Sequence, residues 1–443
     1  MRAGLISALM LAACSGGKTT APTSAPGPSQ NPQVAANPAP VPAPAPVPAP
    51  VPPPDHRPAL PQPPPQPPGA DFTGEAQLLY RIVACSGEAA LTPEVAKLVE
   101  RHCKWVDEKL TAYRERYVAG GREFFATLVP AGIPSTVVYP FGGGDLISAL
   151  AAFPEASEIT TISLELAGDP RRISTLTAKQ LDASLGRLRG ELGGTLSVGS
   201  NTSVNLSSSQ RNELPGQVSS FLLGLAAAGF EPIGMRYFRL EEDGSIHYVT
   251  TDEIAALDGA ATARGKSAKT KSRKQSWNDP NFSEAFANVE IQYRRVGDSA
   301  DRVRVHRHFG WNLHDPELRA TPQLVKHLEA KGKVTVLVKG ASYLLWNSDF
   351  SVIRDYLLGH LAWMLSDSTG IPPEYANAAG MVQDTYGHFS GPFLGGAEGR
   401  TKRHADAFRA LWRRNPKRAL PFRFGYVDSA KAAHLLVTRP KTP

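Results

Sequence analysis

From residue 71 onward the apolar positions of the chain recur with two different periods, and the changes between them mark its elements. Leu78, Leu79, Ile82 and Cys85 have helical spacing, as do Val95, Leu98, Val99, His102, Val106, Leu110 and Tyr113. The second set opens at Thr92-Pro93, a capping residue followed by proline at the first helical position. Together they predict a helical lead-in over residues 71–130. Residues 135–141 (STVVYPF) then read as a strand, Gly142-Gly143-Gly144 as a tight turn, and Asp145 as the cap of a short helix through residue 153. Residues 158–166 (EITTISLEL) are a second strand, which completes a βαβ-like unit. A helix follows through Leu192, then a Ser/Asn-rich loop over 197–210, then an apolar helix over 217–228 stopped by Gly229. Residues 235–240 and 246–249 form a hairpin around Glu242-Asp243-Gly244.

Period two returns further on. Val289, Ile291 and Tyr293 alternate with Glu290, Gln292 and Arg294, and Val303, Val305, Arg307 and Phe309 alternate with Arg304, His306 and His308. Both runs predict a half-exposed antiparallel hairpin turning at residues 297–301. A helix starts at Thr321-Pro322 and ends at Gly332, residues 333–339 (KVTVLVK) are apolar enough for a central strand, and another helix covers 350–360. Strands are expected at 361–365, 422–426 and 434–438. The sum is an α/β (mixed) fold, with a Rossmann-like βαβ unit in a mixed sheet, antiparallel hairpins and an N-terminal helical segment, in a single domain over 71–443.

Composition separates that domain from what precedes it. Of 39 prolines, 21 fall within residues 21–70, a stretch with almost no large apolar side chains. Such a segment cannot bury enough surface to offset the entropy of ordering, so residues 15–70 read as a disordered linker, of which 21–70, biased to polyproline II, have a reach of roughly 150 Å at about 3.1 Å per residue. In front of it stand Met1-Arg2 and an eleven-residue apolar run ending Leu11-Ala12-Ala13-Cys14. That run is of signal-peptide length and too short to span a membrane as a helix. Directly behind it, Cys14 followed by Ser15 looks like a bacterial lipobox, which makes residues 1–14 a lipoprotein signal ending at a lipidated Cys14. The partner it implies is the membrane, the place the bacterial cell envelope, and Ser15 behind the cysteine resembles an outer-membrane address.

Formal charge is 48 basic minus 41 acidic residues, or +7, and six of the bases (Arg264, Lys266, Lys269, Lys271, Arg273 and Lys274) lie within eleven residues without an acid. Spaced by Ser, Thr, Gly and Ala, this run reads as a mobile loop and not as a basic face with interleaved aromatics, so nucleic acid is not an expected partner. Export permits a Cys85–Cys103 disulfide. In a tight helical hairpin Cys103 would sit about 15 Å along the second helix, beyond the Cα separation of about 7 Å that a disulfide tolerates. The loop over 86–91 could restore the match by running back, so spacing leaves both outcomes open.

Candidate chemistry gathers at a few places. The glycine turn at Gly142, Gly143, Gly144 and Asp145, with Glu165 twenty residues past Asp145, has the elements of a nucleotide or S-adenosylmethionine site: glycines for close backbone approach and an acid for ribose hydroxyls. Ile147 stands at the third glycine position, and those cofactors belong to the cytoplasm, so no cofactor is assigned. A site for another small ligand and a plain strand-to-helix turn fit the same residues. His306 and His308 share one strand face about 7 Å apart, suitable for two metal ligands, but no third is placed and Arg304 shares that face, with Glu290 and Gln292 opposite, so cross-strand polar pairing fits as well. No metal is expected. Lys339, Ser342 and Tyr343 end a core strand, where a Ser/Lys pair can make an activated nucleophile or simply cap the strand exit. Asp367 near Gly370 is a turn residue or a ligand contact. Nucleophile-elbow, H-E-x-x-H, C-x-x-C and P-loop motifs are absent, and Gly297-Asp298-Ser299 sits in a hairpin turn.

Several segments resemble a family of uncharacterised exported bacterial proteins, many of them lipoproteins. They are Tyr139-Pro140-Phe141 with Gly143 and Asp145; Phe153-Pro154; Leu164-Glu165 with Gly168; Lys339 with Ala341-Ser342-Tyr343-Leu344; Phe350 with Ile353-Arg354; Asp367 with Gly370-Ile371-Pro372; and Phe424-Gly425-Tyr426. The family reads Ser-Gly-Pro-Asp where this chain has Gly142-Gly143-Gly144-Asp145, and Asp-Asp-Ser-Gly where it has Asp367-Ser368-Thr369-Gly370. Losing the second acid argues against paired-carboxylate chemistry there. The resemblance implies export and an α/β fold and carries no activity.

The expectation is therefore a membrane-anchored envelope lipoprotein whose α/β domain binds a ligand or protein partner of the envelope. The alternative is an envelope enzyme, methyltransferase-like or hydrolase-like, with its pocket at the Gly142 to Asp145 loop and Glu165. A Cys14→Ala variant is expected to leave the membrane fraction for the soluble one on fractionation; continued partitioning with membranes would contradict lipidation at Cys14.

Overall fold

The computed structural model describes residues 69–198, 214–267, 282–389, 400–422, 424 and 433–441. Cys14 and its signal, the Pro-rich tract through residue 68, residues 199–210 of the Ser/Asn-rich loop, residues 268–274 of the basic run and most of the strand candidate at 422–426 lie outside them.

Ten strands make one sheet among the described residues: β1 (Thr136–Pro140), β2 (Glu158–Ser163), β3 (Phe230–Leu240), β4 (Ile246–Tyr248), β5 (Asn288–Arg295), β6 (Arg304–Gly310), β7 (Val334–Val338), β8 (Leu361–Ser366), β9 (Met381–Gly387) and β10 (His434–Pro440). Their order is β4-β3-β5-β6-β2-β1-β7-β8-β10-β9. The middle five, β6-β2-β1-β7-β8, run parallel, and antiparallel strands extend the sheet at both sides. The fold is mixed α/β, as the patterning predicts. β1 (TVVYP) and β7 (VTVLV) owe their central places to β-branched, apolar positions on both faces, the signature of parallel strands covered on two sides.

Two helical layers supply that cover. Val137, Tyr139 and Leu337 point into a first core that includes α1 (Thr73–Val83), α2 (Pro93–Tyr113), α3 (Gly120–Leu128), α4 (Leu146–Ala152), α5 (Ala178–Val198) and α6 (Gly216–Ala228). Val138, Val336 and Val338 point into a second core with α8 (Asp315–Ala320), α9 (Gln323–Glu329), α10 (Ser351–His360) and α11 (Pro373–Ala378). A third cluster, with Trp346, Phe408 and Trp412, seats α12 (Arg400–Arg414). Thr92 caps α2 by accepting from the Val95 amide, and Gly229 ends α6 at φ 80°, both as the sequence indicates. α6 is buried around its whole circumference, which is why it carries no polar stripe. Among the described residues no helix is long and apolar enough to cross a membrane.

Four expectations are corrected. The β5/β6 hairpin is buried on both faces, not half-exposed: Arg304, His306 and His308 are fully covered, because β3 and β4 continue the sheet beyond β5 and helices close both sides. Glu290 lies opposite Arg307 and takes its Nε at 2.8 Å, on the other face from the histidines. β2 stops at Ser163, so Glu165 belongs to the loop behind the strand, where the Ala167 amide bonds the Ala287 carbonyl instead of continuing the ladder with β6. Arg264 and Lys266, expected in a loop, lie in α7 (Thr251–Ser267).

Cys85 and Cys103 are bonded, their Cα atoms 5.4 Å apart. Cys85 leaves α1 in a left-handed conformation (φ 60°) and Gly87 follows at φ 82°, so the connection runs back beside α2 rather than joining the helices end to end. A sequence separation of 18 corresponds to about 3 kcal/mol of denatured-state constraint. Cys103→Ser should lower the urea-unfolding free energy by about that amount; an unchanged midpoint would show that the bridge adds nothing.

Candidate functional site

The chain leaves β1 towards β2 through α4 in one direction, and reaches β7 on the opposite side of β1 after β6. The crevice between the carboxyl ends of β1 and β7 is thus a topological switch point, the place where open α/β sheets bind their ligands. Two charged residues meet across it. Asp145 ends the turn after β1, Lys339 directly follows β7, whose exit continues through Ser342 and Tyr343 as a 3-10 helix rather than as strand, and Lys339 Nζ lies 2.9 Å from Asp145 Oδ2, with both residues under a tenth exposed.

The route into the turn is sterically demanding. Phe141 takes φ 60°, a left-handed value that costs energy for a bulky residue, and Gly143 takes φ 49°. A Cβ on Gly142 would stand 2.8 Å from the ring of Tyr139, so only glycine fits there. The Gly142 amide is engaged by the carbonyls of Ile162 at 3.1 Å and Tyr139 at 3.3 Å. It closes the turn over Tyr139 and is not offered to a phosphate.

Asp145 does not cap α4 with its side chain, contrary to the sequence expectation. Its Oδ1 accepts from Ser148 Oγ at 2.7 Å, and its Oδ2 accepts from Tyr139 OH at 2.9 Å as well as pairing with Lys339. Lys339 Nζ also donates to Ser148 Oγ at 2.8 Å. Beside this knot lies a second one. Asp367 accepts from the Thr369 amide at 2.8 Å and from the Thr369 hydroxyl, and the Gly340 amide points at its other oxygen at 3.4 Å. With its proton committed to Asp367, Thr369 accepts from Ser342 at 2.8 Å. The Tyr139 phenol links the two knots electrostatically: burial, then the carboxylates of Asp145 and Asp367, hold it well above its ordinary pKa, so it remains a donor.

The same face of the sheet carries a histidine pair on β6, two strands from β1. Thr161, beside Tyr139 in register, bridges His306 Nε2 and His308 Nδ1 at 3.0 Å each. His308 Nε2 bonds the Glu165 carbonyl at 2.8 Å and must carry the proton there. Burial lowers the pKa of His308 to about 4, partly offset by that bond, so the ring is neutral and its Nδ1 accepts from Thr161. Thr161 then accepts from His306 Nε2, which leaves His306 Nδ1 as a buried acceptor without a partner among the described residues. Burial first and His308 second depress His306 well below its ordinary value.

Asp145, Lys339, Ser342 and Asp367 therefore meet along one edge, while Gly142, Gly143 and Gly144 form the turn that presents Asp145. Glu165 stands apart: its backbone carbonyl is engaged by His308 and Ser163, and among the described residues no bond joins its carboxylate to the seam. Arg304 pairs with Asp298 at 3.1 Å and Glu155 at 3.2 Å, rather than with Glu290 or Gln292. Among the described residues no three metal-ligating side chains come together. Ser148, Tyr139 and Thr369 are not among the candidate site residues read from the sequence, although Tyr139 and Thr369 stand within the quoted motifs. A signal for Ser148 existed, since it follows Asp145 by three and so shares its helix face.

What fold and seam define is a mixed α/β protein with buried, paired charges at its switch point. Comparison with protein-family models, with curated proteins and with solved structures finds no match.

Between about pH 6.5 and 4 the unfolded chain protonates histidines that the folded protein keeps neutral, so it binds more protons and stability falls as pH drops through that window and is complete above it. The urea midpoint should decline from pH 7 to pH 4.5, and less steeply in His308→Gln. Equal slopes in the two proteins would exclude His308 as a contributor.

Proposed function

We propose that this is an envelope lipoprotein whose α/β domain binds a small polar ligand in the crevice between β1 and β7. Anchoring rests on the sequence: the signal over 1–14, the lipid on Cys14 and the Pro-rich stalk behind it, which holds the domain clear of the membrane. Binding rests on one observation, the buried Lys339–Asp145 pair at the switch point. Taking both charges out of water costs several kcal/mol per ion, and apolar residues of similar volume often serve stability as well or better. A pair kept in the crevice where such sheets bind ligands is better accounted for by what it holds than by what it stabilises.

The seam suits a small molecule that offers an oxygen to Lys339 and a hydrogen-bonding group to Asp145 and Ser148. Dinucleotides and S-adenosylmethionine fit less well, because the Gly142 amide is already engaged and Glu165 stands apart. No cofactor and no nucleic acid enters this reading.

Thermal-shift screening of the full chain against small polar compounds available in the envelope tests it. A ligand at about a hundredfold its Kd stabilises the wild type by about 2.7 kcal/mol. Lys339→Met and Asp145→Asn are expected to lose that shift; a compound that stabilises all three proteins equally binds elsewhere and would count against the crevice.

A further inference from the structure

We propose that Ser148 is a nucleophile and that the crevice cleaves a small carboxylic ester through an acyl-serine. This rests on the crevice being the binding site and adds a reaction to it. Ser148 occupies the first turn of α4, directly after the strand and turn that deliver Asp145. Its Oγ donates to Asp145 Oδ1 at 2.7 Å and receives Lys339 Nζ at 2.8 Å. Tyr139, Asp145, Lys339, Ser342 and Asp367 are buried, whereas Ser148 is half-buried, so it is the polar member of the seam that an incoming molecule meets first.

The other serines at this edge do not fill the role. Ser342 is fully buried and its proton goes to Thr369. Ser368 contacts His434 Nε2 at 2.7 Å, but both are buried, with Phe389 and Trp412 packed against the imidazole. Lys339, the expected partner of Ser342, reaches Ser148 instead.

The groups around Ser148 suffice for acyl transfer. Ser148 Oγ attacks the ester carbon and forms a C–O bond, its proton passes to Asp145 Oδ1, and the carbonyl π pair moves onto the oxygen. Among the described residues Lys339 Nζ has two partners, so the third N–H of its ammonium is left for that oxygen. Collapse expels the alkoxide, which takes the proton back from Asp145 and leaves as the alcohol. Water then attacks the acyl-serine carbon, again giving its proton to Asp145, and the proton returns to Ser148 as the carboxylic acid departs. Tyr139 is a positioning residue: its bond to Oδ2 turns Oδ1 towards Ser148.

Treating the full-length protein with a fluorophosphonate probe tests the proposal. One adduct, mapped to Ser148 by peptide mass, is expected, along with hydrolysis of p-nitrophenyl acetate. Ser148→Ala should lose both while still folding, as a cooperative melting transition shows, and Asp145→Asn should slow labelling by roughly a hundredfold or more, the usual contribution of a general base. An adduct on Ser342 or Ser368, or activity that survives Ser148→Ala, would overturn the assignment. If no adduct forms but a ligand still shifts the wild type and not Lys339→Met, the nucleophile is refuted and the binding site stands; with neither adduct nor ligand shift, both fall.

Discussion

A carboxylate withdrawn from water must have its oxygens met, and at Asp145 that requirement organises the centre of the molecule. Its partners come from three elements: Tyr139 from β1, Ser148 from α4 and Lys339 from β7. Satisfying them fixes where α4 starts and how the turn folds over the Tyr139 ring, which explains a phenylalanine in a left-handed conformation followed by a glycine without room for a Cβ. It also ties β7 to β1 at their carboxyl ends, beyond the two residue pairs of their ladder. The strain at the turn is tolerated because these side-chain bonds over-determine it.

The same constraint recurs along the sheet. Once helices cover both faces, every polar side chain on the central strands needs a partner inside the protein. On the helix α4/α6 face the solution is the row from His308 and His306 through Thr161 to Tyr139 and Asp145. On the other face it is an ionic network in which Glu158 holds Lys331 and Arg307, Arg307 holds Glu290, and Glu290 receives the Tyr248 hydroxyl at 2.6 Å. The two guanidinium and ammonium neighbours hold the Glu158 carboxyl at about 2 despite its burial. The ionic network braces strands across its whole width. The seam at Asp145 differs in its place, at the switch point between the carboxyl ends of β1 and β7.

Much of the fold was legible because periodicity is local. The alternating runs of β5, β6 and β7, the helical spacing of α1 and α2, and the caps at Thr92 and Gly229 need only neighbours in sequence to be read. β9 and α12 escaped. The inward face of β9 carries Gln383 and Thr385, and the Gln383 side-chain amide donates to the Ile371 carbonyl and the Thr438 hydroxyl, partners outside the strand, so no apolar alternation marks it. α12 has its apolar positions diluted by seven bases in fifteen residues (RTKRHADAFRALWRR) counting His404, so its pattern reads as a solvated run.

The sequence by itself determined the α/β character, the glycine turn, the candidate residues Asp145, Lys339, Ser342 and Asp367, and an N-terminal pattern that speaks of export and anchoring. Only the tertiary structure decided which of these meet. Asp145 and Lys339 lie far apart along the chain, and their contact depends on β7 pairing with β1 rather than with the strand before it. The disulfide likewise turned on the path of one short loop, and Glu165 dropped out because β2 ended three residues sooner than its apolar pattern implied. Strand order and strand ends are set by what packs on both faces of the whole sheet, and no window of local sequence contains that information.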